Sequence, residues 1–421
     1  MAKSANAGAK NMEVSLGMSI HKKMQGMDIP VIRQVNGRAV LEALRSKGRM
    51  GRKEIAELTN LSVPTVWRLV NELMKEGILA EVPDARSSYT KGRKTALVDI
   101  NSSGGWVVAI DVGSTHIKGA VVDLSGNLHE SHERDINARG DEAVTAAIFS
   151  MIRKIIDELS ANWGKPYAIG ISIPGTVDSQ LGIVKLSFNL QLENYQVARI
   201  LMEKLGIPVF VHNNVSASAI AEARIGHGRE NPNFAYVSVG YGIGAAYVFN
   251  REIYVNPSRG EFGLMVVAPE GDPNRFGGRG YLESLASGRG IASAARRAIE
   301  SGARTIMARM TPDGVDSITA KIVAEAANKG DEVAIDIMRK AANYLGIGIV
   351  NVANTMGLRV FVIDGGVSKS GDVFWNPLRE AVEKYEYWPG EIQLETCSIN
   401  SNAALVGAGL LALDKVFESI I

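Results

Sequence analysis

The chain has 421 residues, 46% hydrophobic and 22% charged, with a formal net charge of +1. That length predicts two or three domains of about 100 to 200 residues each, and the composition is that of a soluble globular protein. The single cysteine, Cys397, excludes an intrachain disulfide and a cysteine-built zinc site. The first thirty residues lack the apolar core of a signal peptide, and no uncharged apolar run reaches the roughly 20 residues that span a bilayer, so a cytoplasmic protein with no membrane partner is expected. The small net charge hides an uneven distribution. Residues 1–100 hold 17 Lys and Arg against 10 Asp and Glu, and the remainder hold 29 against 35. A basic front end on an acidic body suggests that the first part meets a polyanion.

Residues 1–30 are small, polar and basic, and are expected to form a mobile tail. Residues 31–100 then read as three helices and a basic hairpin. In NGRAVLEALRSKG, Val40, Leu41 and Leu44 share a face and Gly48 stops the helix. RKEIAELTN follows, with Ile55, Ala56 and Leu58 expected inward. In NLSVPTVWRLVNELMKEG, Ser62 is a natural N-cap, Pro64 sits in the first turn, and Val66, Leu69, Val70 and Leu73 make the buried stripe. The remaining face offers Thr65, Trp67 and Arg68 to a groove. Two short β segments then flank a loop carrying Arg86, Lys91, Arg93 and Lys94. This is a winged helix-turn-helix pattern: the third helix reads the major groove of double-stranded DNA and the wing cations hold phosphate or the minor groove. Arg68 is the side chain placed for a bidentate guanine contact.

The rest of the chain contains a repeated unit. WVVAIDVGSTHIKGAVVDL at 106–124 is a β run, a glycine turn and a second β run. AYVSVGYGIGAAYVFN returns to that form 127 positions later when Gly240 is set against Gly113. A third glycine turn, VFVIDGGVSKSG, spans 360–371. Each could be an ordinary hairpin turn, but three of them in an α/β chain suggest a nucleotide or phosphate cleft, because glycine lets backbone N–H groups approach an anion. FVHNNVSASAIAE at 210–222 sets Asn213 and Asn214 between an apolar run and a small-residue helix. Helix capping is one reading of that pair.

Taken together, these segments resemble the ROK family (repressors, open reading frames and kinases) from about Gln34 to the C-terminus. DVGSTHIKGAVVDLSG and VSVGYGIGAAYV resemble the family's two phosphate segments, and ISIPGTVDSQLGIV at 171–184 its Pro-Gly-x-Val-Asp signature. The resemblance implies an α/β fold with two actin-like, hexokinase-like (ribonuclease H-like) lobes, at about 105–225 and 226–401. The C-terminal helix at 402–421 is expected to complete the first lobe. The N-terminal domain places the chain with the repressor branch.

Several positions depart from the family's kinases. The stretch matching residues 213 and 214 is Asn-Asp there, and the Asp takes the proton from the attacking sugar hydroxyl. Here it is Asn214, an amide that can hydrogen-bond a hydroxyl but cannot act as general base at neutral pH. Glu261 and Glu283 match sugar-binding glutamates, whereas Leu264 replaces a histidine that also serves a structural zinc. Asn274, Phe276 and Tyr281 stand where the zinc cysteines would be. Tyr241 replaces a small hydroxyl residue and would crowd nucleotide phosphates. The resemblance therefore implies no catalytic residues, no zinc or other cofactor, and no working ATP–magnesium site. It implies a sugar-like effector held by Gly175, Asn189, Asn213, Asn214, Glu261 and Glu283. Asp111, Gly113, Thr115, Gly240, Gly242, Gly365 and Gly366 would be the remains of a nucleotide site. A DNA-binding repressor acting as a homodimer or tetramer is the expected function, and an ATP-dependent sugar kinase fused to a DNA-binding domain is the alternative.

Overall fold

The computed structural model describes residues 29–83, 96–254, 261–269, 278–311, 314–399 and 402–420. The first helix, α1 (Ile29–Lys47), begins inside the stretch expected to be tail and ends at Gly48, which takes a φ of +77°. α2 (Arg52–Thr59) and α3 (Val63–Lys75) follow. Val40, Leu41, Leu44, Ile55, Val66, Leu69, Val70 and Leu73 close the core between them. Leu58 does not join that core and is 55% exposed: in a helix of eight residues Ile55 and Ala56 already fill the inward stripe, and Leu58 falls outside it. Ser62 caps α3 by accepting the Thr65 N–H at 3.3 Å. β1 (Leu79–Val82) and β2 (Leu97–Ile100) pair antiparallel, Leu79 against Ile100 and Val82 against Leu97. The wing loop between them lies outside the described residues.

The next sheet is built from β3 (Trp106–Val112), β4 (His116–Asp123), β5 (Leu128–Asp135), β6 (Ile169–Ile173) and β10 (Val209–Asn213), in the order β10-β6-β3-β4-β5. β3, β4 and β5 form an antiparallel meander, whereas β6 and β10 run parallel to β3. α4 (Asp141–Trp163) lies between β5 and β6 in the chain and covers one face, with Val144, Ile148 and Ile152 in the core. A small sheet of β7 (Thr176–Asp178), β8 (Ile183–Ser187) and β9 (Leu192–Tyr195) precedes α5 (Val197–Leu205), β10 and α6 (Asn214–Ile225).

The second lobe repeats this topology. Its strands are β11 (Phe234–Val239), β12 (Ile243–Phe249), β13 (Glu252–Ile253), β14 (Val360–Asp364) and β15 (Gln393–Thr396), ordered β13-β12-β11-β14-β15, with β14 and β15 again parallel to the first strand. The repeat seen around Gly113 and Gly240 is thus a repeat of a whole sheet. α7 (Leu282–Ala286), α8 (Gly288–Glu300), α9 (Ala320–Asn328), α10 (Glu332–Met356) and α11 (Asp372–Tyr385) surround this sheet.

The last helix, α12 (Ala403–Ile420), returns to the first lobe and packs on β3 and β6. Small residues permit the approach. A side chain at Gly170 would strike the Ala408 carbonyl, and one at Gly407 would strike the Ala217 carbonyl of α6. On its other side α6 puts Ala219 and Ala223 against Phe234, Tyr236, Ala246 and Val248 of the second sheet. It is therefore a shared wall of both lobes. The DNA-binding domain docks on the outside of this assembly, its core continuous with Leu405, Leu413 and Phe417 of α12.

Candidate effector cleft and DNA-binding face

On α3, Pro64, Trp67 and Arg68 are exposed, and no described residue pairs with the Arg68 guanidinium. Trp67 is 49% exposed and carries the Arg52 guanidinium 4.3 Å over its ring. Arg52 is itself buried and bonds Glu81 at 2.8 Å, so it fixes the indole in place and links α3 to the first wing strand. Sequence reading passed over Arg52 because its partner lies 29 residues away. Thr65 is half-buried and its hydroxyl is taken up by Ser62 at 2.7 Å, which makes it part of the cap as well as of the face. Arg86, Lys91, Arg93 and Lys94 lie outside the described residues.

The candidate effector residues collect at the carboxyl ends of β6 and β10, where open α/β sheets bind ligands. Asn213 ends β10, opposite Ile173. Its side chain is engaged at both ends: Oδ1 accepts from the N–H groups of Val215 at 2.8 Å and Ser216 at 3.3 Å, and one N–H of Nδ2 donates to the Gly175 carbonyl at 2.6 Å. Gly175 has a φ of +121°, and a side chain there would strike the Leu186 carbonyl, so the signature turn closes only with glycine. The cap reading thus holds for Asn213. Asn214 is the first helical residue, half-buried, and no described residue hydrogen-bonds its amide. Asn189 lies half-buried in the turn after β8, two residues beyond Ser187, which packs beside Gly175.

From α6 the contacts continue into the second lobe. A Cβ at Gly244 would come within 3.0 Å of Val215. Next to it, Glu283 accepts the Ile243 N–H at 3.2 Å through Oε2 and pairs with Arg289 at 2.9 Å through Oε1. The turn of Glu261 to Leu264 packs on the same spot: a Cβ at Gly263 would lie 3.2 Å from the Glu283 Cβ. Leu264 is 43% exposed there. Through Val215 and Gly244 the segment of Gly175, Asn213 and Asn214 thereby lies beside that of Glu283 and the turn after Glu261, across the lobes. Arg289, which the sequence reading missed, holds the Glu283 carboxylate and lies 5.8 Å over the Tyr241 ring. The glycines flanking it at a helix start, Gly288 and Gly290, were the available signal.

The glycine turns sit at matching strand ends. Gly113 donates to the His116 carbonyl at 2.8 Å, and Gly240 to the Gly242 carbonyl at 2.9 Å. Gly365, with a φ of +104°, crosses the end of β11, where a side chain would strike the Val239 carbonyl; Gly366 is exposed. The second and third turns are therefore brought together. Among the described residues the first makes no hydrogen bond to either. Tyr241, 60% exposed, stands at the tip of the second turn, and a Cβ at Gly242 would sit 2.6 Å from Glu283. Thr115 spends its hydroxyl on the neighbouring His116 ring at 2.8 Å. Asp111 bonds Ser172 at 2.5 Å, and burial raises its carboxyl above the usual range against the pull of Ser172 and Lys118. His212, beside Asn213, is pushed down to about 4 by burial and then by Lys415.

Among the described residues no three His, Cys, Asp or Glu side chains converge on a metal position. Of the three positions where the resemblance places the zinc cysteines, Asn274 and Phe276 are outside those residues, and Tyr281 directly precedes α7. No described helix is long and apolar enough to cross a membrane.

Comparison with known proteins agrees with this architecture. The winged helix-turn-helix DNA-binding profile matches residues 35–80, and the ROK family profile residues 107–415. A putative xylose repressor from Caldicellulosiruptor sp. (strain Rt8B.4) is 28% identical over 391 residues, covering 92% of this chain and 97% of that protein. A glucokinase from Halalkalibacterium halodurans is 30% identical over 312 residues, covering 73% and 94%. The solved structure of a ROK family transcriptional regulator, a homologue of the E. coli MLC protein, superposes with a TM-score of 0.79 at 23% identity, over 92% of this chain and 97% of that one. The kinase relative covers 73% of this chain, whereas the two regulators cover 92% of it. With its duplicated sheet, its glycine turns and a profile match over most of its length, the chain belongs to the ROK family.

Proposed function

We propose that this chain is a sugar-responsive transcriptional repressor that binds operator DNA through α3 and the wing, and holds its effector unchanged between the lobes. The observation that carries the reading is the division of labour at the start of α6. Asn213 is held by the helix cap and Gly175, whereas the Asn214 amide bonds to no described residue and stands where a kinase of this family needs its base. An amide there can hold a sugar hydroxyl but cannot accept its proton, a step worth about 10² to 10⁴ in rate.

Leu264, in place of the family's histidine, removes a second polar contact and a zinc ligand, so we infer an effector site without zinc and without ATP. Glu283, kept in place by Ile243 and Arg289, and Glu261 supply the acceptors for hydroxyl groups. The relative named as a putative xylose repressor makes D-xylose the first effector to try. Two copies of the chain would present two winged helices to a near-palindromic site.

The test is a gel shift on DNA upstream of the chain's own gene, with and without D-xylose, D-glucose or N-acetyl-D-glucosamine, alongside a product assay with Mg-ATP and the same sugars. The reading expects salt-sensitive DNA binding that a sugar alone changes, and no phosphorylated sugar above background. Robust turnover would establish the kinase alternative instead.

A further inference from the structure

α1 touches both lobes, and it does so with two arginines on one face. Arg38 and Arg45 are seven residues apart, two helical turns or about 10.5 Å along the axis. Arg45 meets Asp414 of α12 at 3.2 Å, and the same carboxylate oxygen receives Arg224 from the end of α6 at 2.5 Å. These side chains are only 9%, 13% and 8% exposed, and Arg45 also lies 5.0 Å over the Phe417 ring. Arg38 reaches the other way, to Glu252 on β13 at 2.6 Å, with Glu42 of its own helix at 3.2 Å. That pair is exposed, at 40% and 50%. α12 belongs to the first sheet and β13 is the edge of the second, so one rigid helix is fastened to each lobe.

The two fastenings differ in kind. A buried ion pair cannot be parted without stranding charge, so the Arg45–Asp414–Arg224 group moves as one piece with the first lobe. An exposed pair gives way easily. A change in the angle between the lobes cannot keep both anchors of a straight helix in place, and the exposed one yields. α6 connects this geometry to the cleft, since it begins at Asn214 and carries Arg224 in its last turn.

We propose that α1 is a strap across the two lobes, anchored on the first through Arg45, Asp414 and Arg224 and latched to the second through Arg38 and Glu252. Movement of the lobes around an effector opens the latch, so that the DNA-binding domain, which stays with the first lobe, changes its setting relative to the second. This rests on the effector reading above. By linkage, whatever cost the effector bears in opening the latch must appear in its own affinity.

The experiment is calorimetric titration of the full chain with D-xylose, then with D-glucose and N-acetyl-D-glucosamine if D-xylose gives no heat. Wild type, Glu252→Ala, Arg38→Ala and the charge swap R38E/E252R are compared. Both single variants should bind the sugar at least threefold more tightly than wild type, and the swap should return towards the wild-type value. The residues lie on the surface and outside the cleft, so folding, checked by thermal unfolding, should be unchanged. Affinities equal to wild type in both single variants overturn the latch while leaving the effector reading intact. A wild-type protein that binds none of the three sugars overturns the effector reading and the latch with it.

Discussion

In the first lobe Asp111, Ser172 and His212 stand side by side on β3, β6 and β10. In the second, Ser238 and Asp364 occupy the matching places on β11 and β14, and Cys397 follows β15 beside them. The carboxylate and the hydroxyl have exchanged strands. In the first row the carboxylate accepts the Ser172 hydroxyl and is driven towards its neutral form by burial; in the second it accepts the Tyr236 phenol at 2.6 Å. Duplication has kept the sheet and reassigned the strand ends. The second row is a structural hydrogen-bonded unit. The first keeps a carboxylate that burial holds above its usual range. The sheet edges diverge in the same way. β5 is an eight-residue edge strand rich in exposed charge, whereas β13 is cut to two residues and gives Glu252 to α1.

The largest expected effect lies where the added domain meets the first lobe. Asp414→Ala leaves Arg45 and Arg224 buried without their counter-ion and should cost about 3–5 kcal/mol in chemical denaturation. A cost below about 1 kcal/mol would mean that water reaches both guanidiniums and that the joint is not buried in solution.

The two rows also predict opposite pH limits. Burial and Lys415 hold the His212 folded value at about 4, below its unfolded value near 6.5, so the unfolded state binds more protons between these values. Stability should therefore fall as pH drops through that window, by up to roughly 3 kcal/mol, and His212→Gln should flatten the fall. Cys397 is pushed up to about 12 by burial and the neighbouring Glu222, so its counterpart loss comes on the alkaline side, as pH rises from about 9 towards 12. At pH 8 the native thiol should resist alkylation that proceeds readily in denaturant.

The glycine turns sharpen the comparison further. Gly365→Ala meets both a positive φ and the Val239 carbonyl and should cost about 1–3 kcal/mol. Gly113→Ala has only the His116 carbonyl at 2.8 Å to displace and should cost less, as unfolding midpoints would show.

Smallest are the two carboxylates. Asp364→Asn removes a charged acceptor from Tyr236 and should cost about 1.5 kcal/mol. Asp111→Asn should be neutral or stabilising at pH 7, because a carboxyl raised above its unfolded value disfavours folding once ionised. Equal losses from both would erase the distinction between the rows.

What could be read from the sequence was local. Ser62, Pro64 and Gly77 mark α3, and the 127-residue repeat announces the duplicated sheet, because caps, turns and periodicity act over a few residues. Leu58 was misplaced because a two-turn helix has too few positions to fix its inward face. Asn213 as a cap was legible; that Asn214 is left over became visible only when Gly175 was seen to take the other end of Asn213. Arg38 with Glu252 and Arg45 with Asp414 are 214 and 369 residues apart, and no local pattern announces such pairs.

Binding alone, without chemistry, should pass from the cleft to the DNA. This is tested most directly by titrating a sugar, without ATP, into the complex of the full chain with its operator duplex while following fluorescence anisotropy. At least a fivefold change in DNA affinity is expected, with the sugar recovered unchanged. A response that appears only when Mg-ATP is added, with the sugar phosphorylated, would contradict it.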